Sequence, residues 1–134
     1  MPLEQINNNE RKFVNETLTI ESNNYEVVHA GMYHALFKGL EALETDYGKA
    51  YRWSFLIVGG EYDGKYITEL SDNEKAPSTQ NKTGRFLCAL AKRNIEKGVQ
   101  VNPSDYVDKK YMLIVEPHLK KAGETKITTF SMID

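Results

Sequence analysis

The sequence has little cysteine: Cys88 is the single one among 134 residues. One cysteine cannot form an internal disulfide, and its position on an apolar helical face favours a buried thiol over a nucleophile. The N-terminus also lacks the basic start and the apolar stretch of a secretory signal peptide. These two absences predict a cytoplasmic protein without disulfide bonds.

Long hydrophobic runs are missing as well. No stretch approaches the roughly 20 apolar residues that a membrane-spanning helix needs, so we expect no membrane partner. Hydrophobic residues make up 40% of the chain and charged residues 27%, fractions typical of a soluble globular protein. The length fits one domain with a substantial core.

The usual signs of catalysis and metal binding are absent too. The histidines have no metal-ligand spacing with one another or with Cys88, and Gly59-Gly60 is not followed by the Gly-Lys-Ser/Thr sequence of a phosphate-binding loop. Acidic pairs such as Glu61 and Asp63 fall in a turn between strands, where solvated acids are common. We therefore predict no catalytic residue, no metal, no cofactor and no enzyme activity.

Charge is unevenly distributed along the chain. The formal net charge is −2, but residues 1–46 are strongly acidic and residues 47–98 carry an excess of Lys and Arg. Phosphate neutralisation depends on local positive charge, so a nearly neutral protein can still bind a polyanion in one groove. The acidic average argues against sequence-blind binding to duplex DNA.

Hydrophobic alternation predicts five strands and one helix. Residues 1–24 form an N-terminal extension, partly disordered or a short edge strand, and residues 25–134 form the domain. A strand over 31–40 precedes a compact loop over 44–49, and a helix near 86–93 begins at the Pro77-Ser78-Thr79 signal. The remaining predicted strands cover 51–58, 65–70, 111–116 and 125–132.

The second strand shows the clearest two-faced pattern. Tyr51, Trp53, Phe55 and Ile57 alternate with smaller or charged residues and are bulky enough to form the core. Arg52 then points to the opposite face. Three strands, a helix and two strands is the element order of an OB-fold, which predicts an all-β, five-stranded Greek-key barrel with its helix between strands 3 and 4.

Several motifs strengthen this expectation. The chain has a Gly-x-Tyr start at Gly31, a Glu-x-x-Glu-Thr-x-Tyr-Gly loop over 41–48, an Arg-Trp-x-Phe strand over 52–55 and a Gly-Gly-Glu-x-x-Gly-Lys hairpin over 59–65. With the Gly84-Arg85-Phe86-Leu87-x-Ala89-Leu90 helix, they resemble bacteriophage and phage-derived OB-fold proteins of the single-stranded-DNA-binding type. The resemblance covers residues 30–133. It implies a role in DNA replication or recombination, with proteins of those processes as partners, in the host-cell cytoplasm for a viral protein.

Binding single-stranded DNA requires flat side chains for unstacked bases and cations for phosphates. In OB-folds the ligand lies across strands 2 and 3, between the loops joining strands 1 to 2 and 4 to 5. The side chains at those positions are Tyr47, Lys49, Arg52, Tyr62, Lys65, Tyr66, Lys120 and Lys121. Trp53 is either a core residue or a stacking platform, and its alternation with apolar neighbours favours the core.

Two questions remain open from the sequence. An OB-fold also hosts protein and carbohydrate ligands, so an interaction module, for example a phage structural component, is the alternative function. Convergence of Tyr47, Arg52, Tyr62 and Lys65 on one basic groove would favour DNA, and scatter would favour the alternative. The choice between a monomer and a homodimer is equally open.

Overall fold

The computed structural model describes residues 28–133, together with Phe13 and residues 15–18. The predicted N-terminal extension therefore lies almost wholly outside the described residues. The described part contains these elements in chain order: β1 (Gly31–Thr45), β2 (Gly48–Ile57), β3 (Tyr66–Asp72), α1 (Lys82–Leu90), a short 3-10 helix (Pro103–Tyr106), β4 (Lys110–Pro117) and β5 (Thr125–Met132).

The strands form one antiparallel, five-stranded open sheet in the order β3-β2-β1-β4-β5. The central strand β1 pairs with β4 through residues 31–36 and with β2 through residues 35–45. Its register shifts between Phe37 and Gly39, so Lys38 is an extra residue that bends the strand. Gly39 has φ of 138°, which a residue with a side chain rarely adopts. The all-β class with one helix is thus confirmed.

The connection between β1 and β2 is shorter than predicted. The predicted loop over 44–49 is wrong, because β1 continues to Thr45 and β2 already begins at Gly48. The Thr45 hydroxyl accepts a hydrogen bond from Tyr47 N and donates one to Gly48 O. These local bonds close a tight hairpin turn, which leaves Tyr47 at its tip.

The predicted core face of β2 is confirmed at Trp53, Phe55 and Ile57, which are almost completely buried. Tyr51, the fourth predicted residue, is only half-buried and packs at the margin of the core. Phe130 of β5 lies at the centre of an aromatic cluster, with ring centroids 5.1 Å from Phe55 and 4.9 Å from Phe86. Tilted and edge-to-face contacts of this kind add to the free energy gained from burial. The other large core side chains are Phe37, Leu90, Tyr111, Leu113, Val115 and Ile127.

β5 carries a bulge that simple alternation does not anticipate. Ile114 pairs with Thr129 and Val115 pairs with Ile127, so Thr128 is left between two paired positions. Strict alternation would put Ile127 and Phe130 on opposite faces. The extra residue turns the strand, and both side chains become buried.

Helix α1 covers Lys82–Leu90 and so both begins and ends earlier than the predicted range of 86–93. Asn81, not the Pro77-Ser78-Thr79 signal, is the N-cap, and its side-chain oxygen accepts hydrogen bonds from Gly84 N (2.8 Å) and Ser78 N (3.1 Å). At the other end, the Tyr111 hydroxyl donates to Leu90 O, one of the carbonyls that a helix terminus leaves unsatisfied. Burial raises the pKa of this hydroxyl, which therefore remains a donor.

The two edges of the sheet approach each other at one largely buried acid. Glu69 of β3 accepts a 2.9 Å hydrogen bond from the backbone N–H of Ile127 in β5, and its other carboxylate oxygen forms an ion pair with Lys82 of α1. Only 13% of the Glu69 side chain is exposed. A single carboxylate therefore connects both edge strands to the helix. Within the part of the chain that the structure describes, no helix is long and apolar enough to cross a bilayer.

We expect Gly84→Ala to destabilise the protein although alanine is the better helix former. A Cβ at this position would lie 1.8 Å from the carbonyl oxygen of Ser78, which is backbone and cannot rotate away. Alanine gains about 1 kcal/mol in helix propensity, whereas a core overlap costs about 1–3 kcal/mol or more. Urea unfolding of Gly84→Ala should show the loss.

The neighbouring variant Arg85→Ala is the control, because this side chain is exposed on the same helical turn. Its free energy of unfolding should stay within about 0.5 kcal/mol of the wild type. Equal stability of Gly84→Ala and the wild type would contradict the close packing of Ser78 on α1.

Candidate nucleic-acid interface

The outer faces of β1, β2 and β3 form an open cleft of about 610 Å³. We call it the β2–β3 groove. Its walls combine charged, hydroxyl and aromatic side chains, and its lining residues are Glu41, Arg52, Ser54, Gly64, Lys65, Tyr66 and Thr68. The structure therefore brings together three of the predicted binding residues: Arg52, Lys65 and Tyr66.

Strand alternation explains why these side chains share one face. Arg52 and Ser54 point away from the core because the residues between them and after them, Trp53 and Phe55, are fully buried. Ser54 pairs with Thr68 across the β2–β3 ladder, so Thr68 lies on the same face. The apolar pattern of β2 thus determines which polar residues line the groove.

Tyr66 provides a flat aromatic side chain in this groove. It is the first residue of β3 and is 60% exposed, so much of its ring is accessible. Leu70 lies two residues after Thr68 on the same strand face and pairs with Arg52. It is 48% exposed and extends the apolar surface. An accessible phenol ring can stack on an unstacked base, because every base has a π-face.

Arg52 forms an ion pair inside the groove that the sequence alone did not indicate. Glu41 Oε1 accepts hydrogen bonds from Arg52 Nη2 at 2.9 Å and from Arg52 Nε at 3.3 Å. The two residues are directly opposite in the β1–β2 ladder. Their side chains remain 44% and 59% exposed, so the pair is solvated. Only the strand register, which the tight turn between Thr45 and Gly48 sets, could have revealed this partner.

Lys38 lies near the Tyr66 end of the groove and was not among the predicted binding residues. Its ammonium donates a 2.6 Å hydrogen bond to Asp108, and this bond raises the pKa of Lys38, with a smaller contribution from Tyr66. Asp108 is itself held against β1, because its backbone N–H donates to Phe37 O at 2.7 Å. The bulge residue is thus a second cation of β1 and β2 that is paired with an acid.

The prediction that Tyr62 contacts a ligand is wrong. Tyr62 is only 6% exposed, since the 59–64 turn folds back over the start of β1. Its hydroxyl accepts a hydrogen bond from His29 N, and its ring contacts Tyr33 edge to face at 5.7 Å. In the sequence, glycines and charges surround Tyr62. The turn nevertheless closes on itself, because Gly59 N donates a hydrogen bond to the Asp63 carboxylate. This closure directs the phenol ring of Tyr62 inward.

Trp53 is the core residue that its alternation favours, and its assignment as a nucleic-acid contact is wrong. None of its surface is exposed, so neither face of the indole can stack on a base. The indole N–H donates to Ser71 Oγ at 2.8 Å, and Thr83 Oγ1 lies 2.8 Å from both Ser71 Oγ and Asp72 O. Because each hydroxyl has one proton, a chain from Trp53 through Ser71 and Thr83 to the Asp72 carbonyl satisfies every donor.

The other predicted contacts lie outside the lining of the groove. Tyr47 is completely exposed at the β1–β2 turn, and Lys49 follows it with its backbone N–H bonded to the Glu74 carboxylate. Lys120 and Lys121 are exposed in the turn between β4 and β5. Three of these residues thus lie in the β1–β2 and β4–β5 turns and Lys49 lies at the start of β2, and none of the four lines the groove.

Metal ligands are not grouped in the described part of the chain: no three His, Cys, Asp or Glu side chains there are arranged to hold a metal ion. Glu61 and Asp63 lie in the 59–64 turn, where Asp63 binds the Gly59 amide. Its role there is to close the turn.

No model of a known protein family matches the chain, and no curated protein matches it.

We expect the fluorescence of Trp53, the single tryptophan of the sequence, to report a buried indole. Its emission should be blue-shifted, and an oligo-dT ligand should quench it only weakly because the ring faces the core. Trp53→Ala should cost about 3–5 kcal/mol in free energy of unfolding, through loss of packing and a residual cavity. Strong quenching by oligo-dT, together with a Trp53→Ala variant of normal stability, would contradict this assignment.

Proposed function

We propose that this chain is an OB-fold protein that binds single-stranded DNA without catalysis, in phage-type replication or recombination. One observation carries the proposal: the β2–β3 groove joins an exposed aromatic ring, Tyr66, to Arg52 and Lys65 on an open sheet face. A stacking surface beside cations is the combination that sequence-tolerant single-strand binders use.

The strand arrangement supports the OB-fold part of the proposal. Three consecutive strands lie side by side, and β4 returns to lie next to β1, which is the 4-1-2-3 order of a Greek key. The edge strands β3 and β5 approach each other at Glu69 and Ile127, as closure of a five-stranded barrel requires. The groove lies on strands 2 and 3, where OB-folds hold oligonucleotides.

The chemistry of the groove favours an unpaired strand over a duplex. A base can reach the Tyr66 ring only after it leaves its own stack, and this costs least in a single strand. Stacking contributes about 1–3 kcal/mol per base, and each phosphate contact adds a salt-sensitive contribution. Since one exposed ring and two cations line the groove, we expect moderate affinity that falls as salt concentration rises.

Two observations favour a second candidate function. Of the four residues expected to converge on one groove, only Arg52 and Lys65 line it, whereas Tyr47 and Tyr62 lie elsewhere. In addition, two hydroxyls and a carboxylate line the groove together with Tyr66; they belong to Ser54, Thr68 and Glu41. Hydrogen-bonding groups beside an aromatic ring also suit a carbohydrate or a protein loop, and OB-folds bind both. The alternative is an interaction module, and the nucleic-acid assays below separate it from the first candidate.

The purified protein should retard a dT 30-mer much more strongly than a duplex of equal length. The reason is that a duplex hides the base faces that Tyr66 needs, and the chain carries a net charge of −2. Gel retardation or fluorescence anisotropy at several salt concentrations measures both affinities, and an rU 30-mer tests whether a 2′-hydroxyl is tolerated. Equal binding of the single strand and the duplex, or no binding of either at low salt, would overturn the proposal and favour the interaction module.

Two variants of the groove should affect binding in different ways. Arg52→Ala should weaken dT binding and flatten its salt dependence, because one phosphate contact and its released counterion are lost. Tyr66→Ala should weaken binding with the salt dependence unchanged, because stacking releases no counterion. Melting temperatures should stay close to the wild type, since both side chains are solvated.

Arg85→Ala is the matched control for Arg52→Ala. It removes the same charge from an exposed position on α1 that does not line the groove. Its affinity for dT should remain near that of the wild type. If all three variants bind equally well, the binding face lies elsewhere.

A further inference from the structure

The groove contains an acid that a DNA-binding surface would not need. Glu41 lies on β1 directly opposite Arg52, and it lines the same cleft as Lys65 and Tyr66. We infer that Glu41 acts as an internal competitor that occupies Arg52 until a DNA phosphate displaces it. The inference rests on the proposed function of the groove and assigns its regulation to one residue.

The geometry shows that Glu41 occupies one of the two edges of Arg52 that can bind a phosphate. One carboxylate oxygen accepts from both Nη2, at 2.9 Å, and Nε, at 3.3 Å. The Nε–Nη edge and the Nη–Nη edge of a guanidinium each present two N–H donors to phosphate oxygens. A phosphate can bind at the Nε–Nη2 edge only after the Glu41 carboxylate has moved away.

The exposure of the pair makes this exchange feasible. With 44% of Arg52 and 59% of Glu41 accessible to solvent, neither group is locked by burial. An exposed ion pair contributes little to stability, because solvent screens it and long side chains lose entropy when they form it. The competitor therefore reduces affinity modestly and does not block the site.

Displacement of Glu41 should also reduce the salt dependence of binding. A phosphate that binds Arg52 releases about 0.7 counterion from single-stranded DNA. The displaced Glu41 carboxylate loses its cationic partner at the same moment and attracts a cation from solution. Uptake of this cation offsets part of the release, so the wild type should show a flatter salt dependence than its phosphate contacts alone would give.

The test combines Glu41→Gln, Arg52→Ala and the double variant, each measured with a dT 30-mer by fluorescence anisotropy from low to moderate salt. Glutamine keeps the size of the side chain and removes its charge. We expect Glu41→Gln to bind up to about fivefold more tightly at low salt, the ratio that corresponds to a surface ion pair. Its plot of log affinity against log salt should be steeper by up to about 0.7.

The controls separate a specific competitor from a general charge effect. Glu96→Gln removes the same charge from an exposed loop outside the groove and should bind like the wild type. In the Arg52→Ala background, Glu41→Gln should no longer change affinity or salt slope, because its partner is gone. This double-mutant cycle measures the coupling between the two residues directly.

The possible failures can be told apart. If the wild type binds dT and Arg52→Ala weakens binding, but Glu41→Gln matches the wild type in affinity and slope, the competitor is overturned and the proposed function stands. The competitor is likewise overturned, and the proposed function stands, if Glu41→Gln strengthens binding equally in the wild-type and Arg52→Ala backgrounds. If the wild type does not bind dT, or Arg52→Ala has no effect, the assignment of this groove to DNA fails and the inference fails with it.

Discussion

The central strand β1 must pair with β2 and β4 at the same time, and the rest of the structure depends on this constraint. Ala35 and Leu36 lie where the two ladders overlap, opposite Ile57 and Leu56 on one side and Tyr111 and Lys110 on the other. Ala35 is completely buried there, which leaves room for the larger aromatic side chains around it. Beyond this overlap the bulge at Lys38 bends the strand away from β4, so that its second half follows β2 alone. The bend gives the sheet an inner face for the aromatic cluster and an outer face for the groove.

Much of the fold follows from local sequence pattern, because alternation of apolar residues directly reflects which side of a strand is buried. The inner face of β2 and the bounds of β5 were predicted in this way. The features that were missed differ in origin. The bulge at Thr128 is defined by its pairing with β4, which neighbouring residues do not reveal. The N-cap role of Asn81 rests on local hydrogen bonds from Ser78 and Gly84, so this feature lay within reach of the sequence pattern.

The same distinction holds for the candidate site. Arg52 and Tyr66 could be assigned to the outer face once the core face of β2 and the β2–β3 hairpin were predicted. Tyr62 could not be placed correctly, since its burial results from a turn that folds back toward His29 and Tyr33. Glu41 escaped notice because its contact with Arg52 crosses a hairpin whose register was unknown. In the folded protein, Arg52 of the candidate groove is therefore paired with an acid that the local sequence pattern did not reveal.

The position of Phe130 has a consequence for synthesis of the protein. Strands β1 to β3 are contiguous in the chain and can pair as soon as they are made, whereas Phe130 belongs to the last strand. The aromatic rings of Trp53 and Phe55, which Phe130 contacts, therefore stay uncovered while the helix and the last two strands are translated. Chains whose core depends on such distant contacts fold slowly and expose apolar surface meanwhile. The nascent chain, more than the finished protein, is the form that a chaperone would need to protect from aggregation.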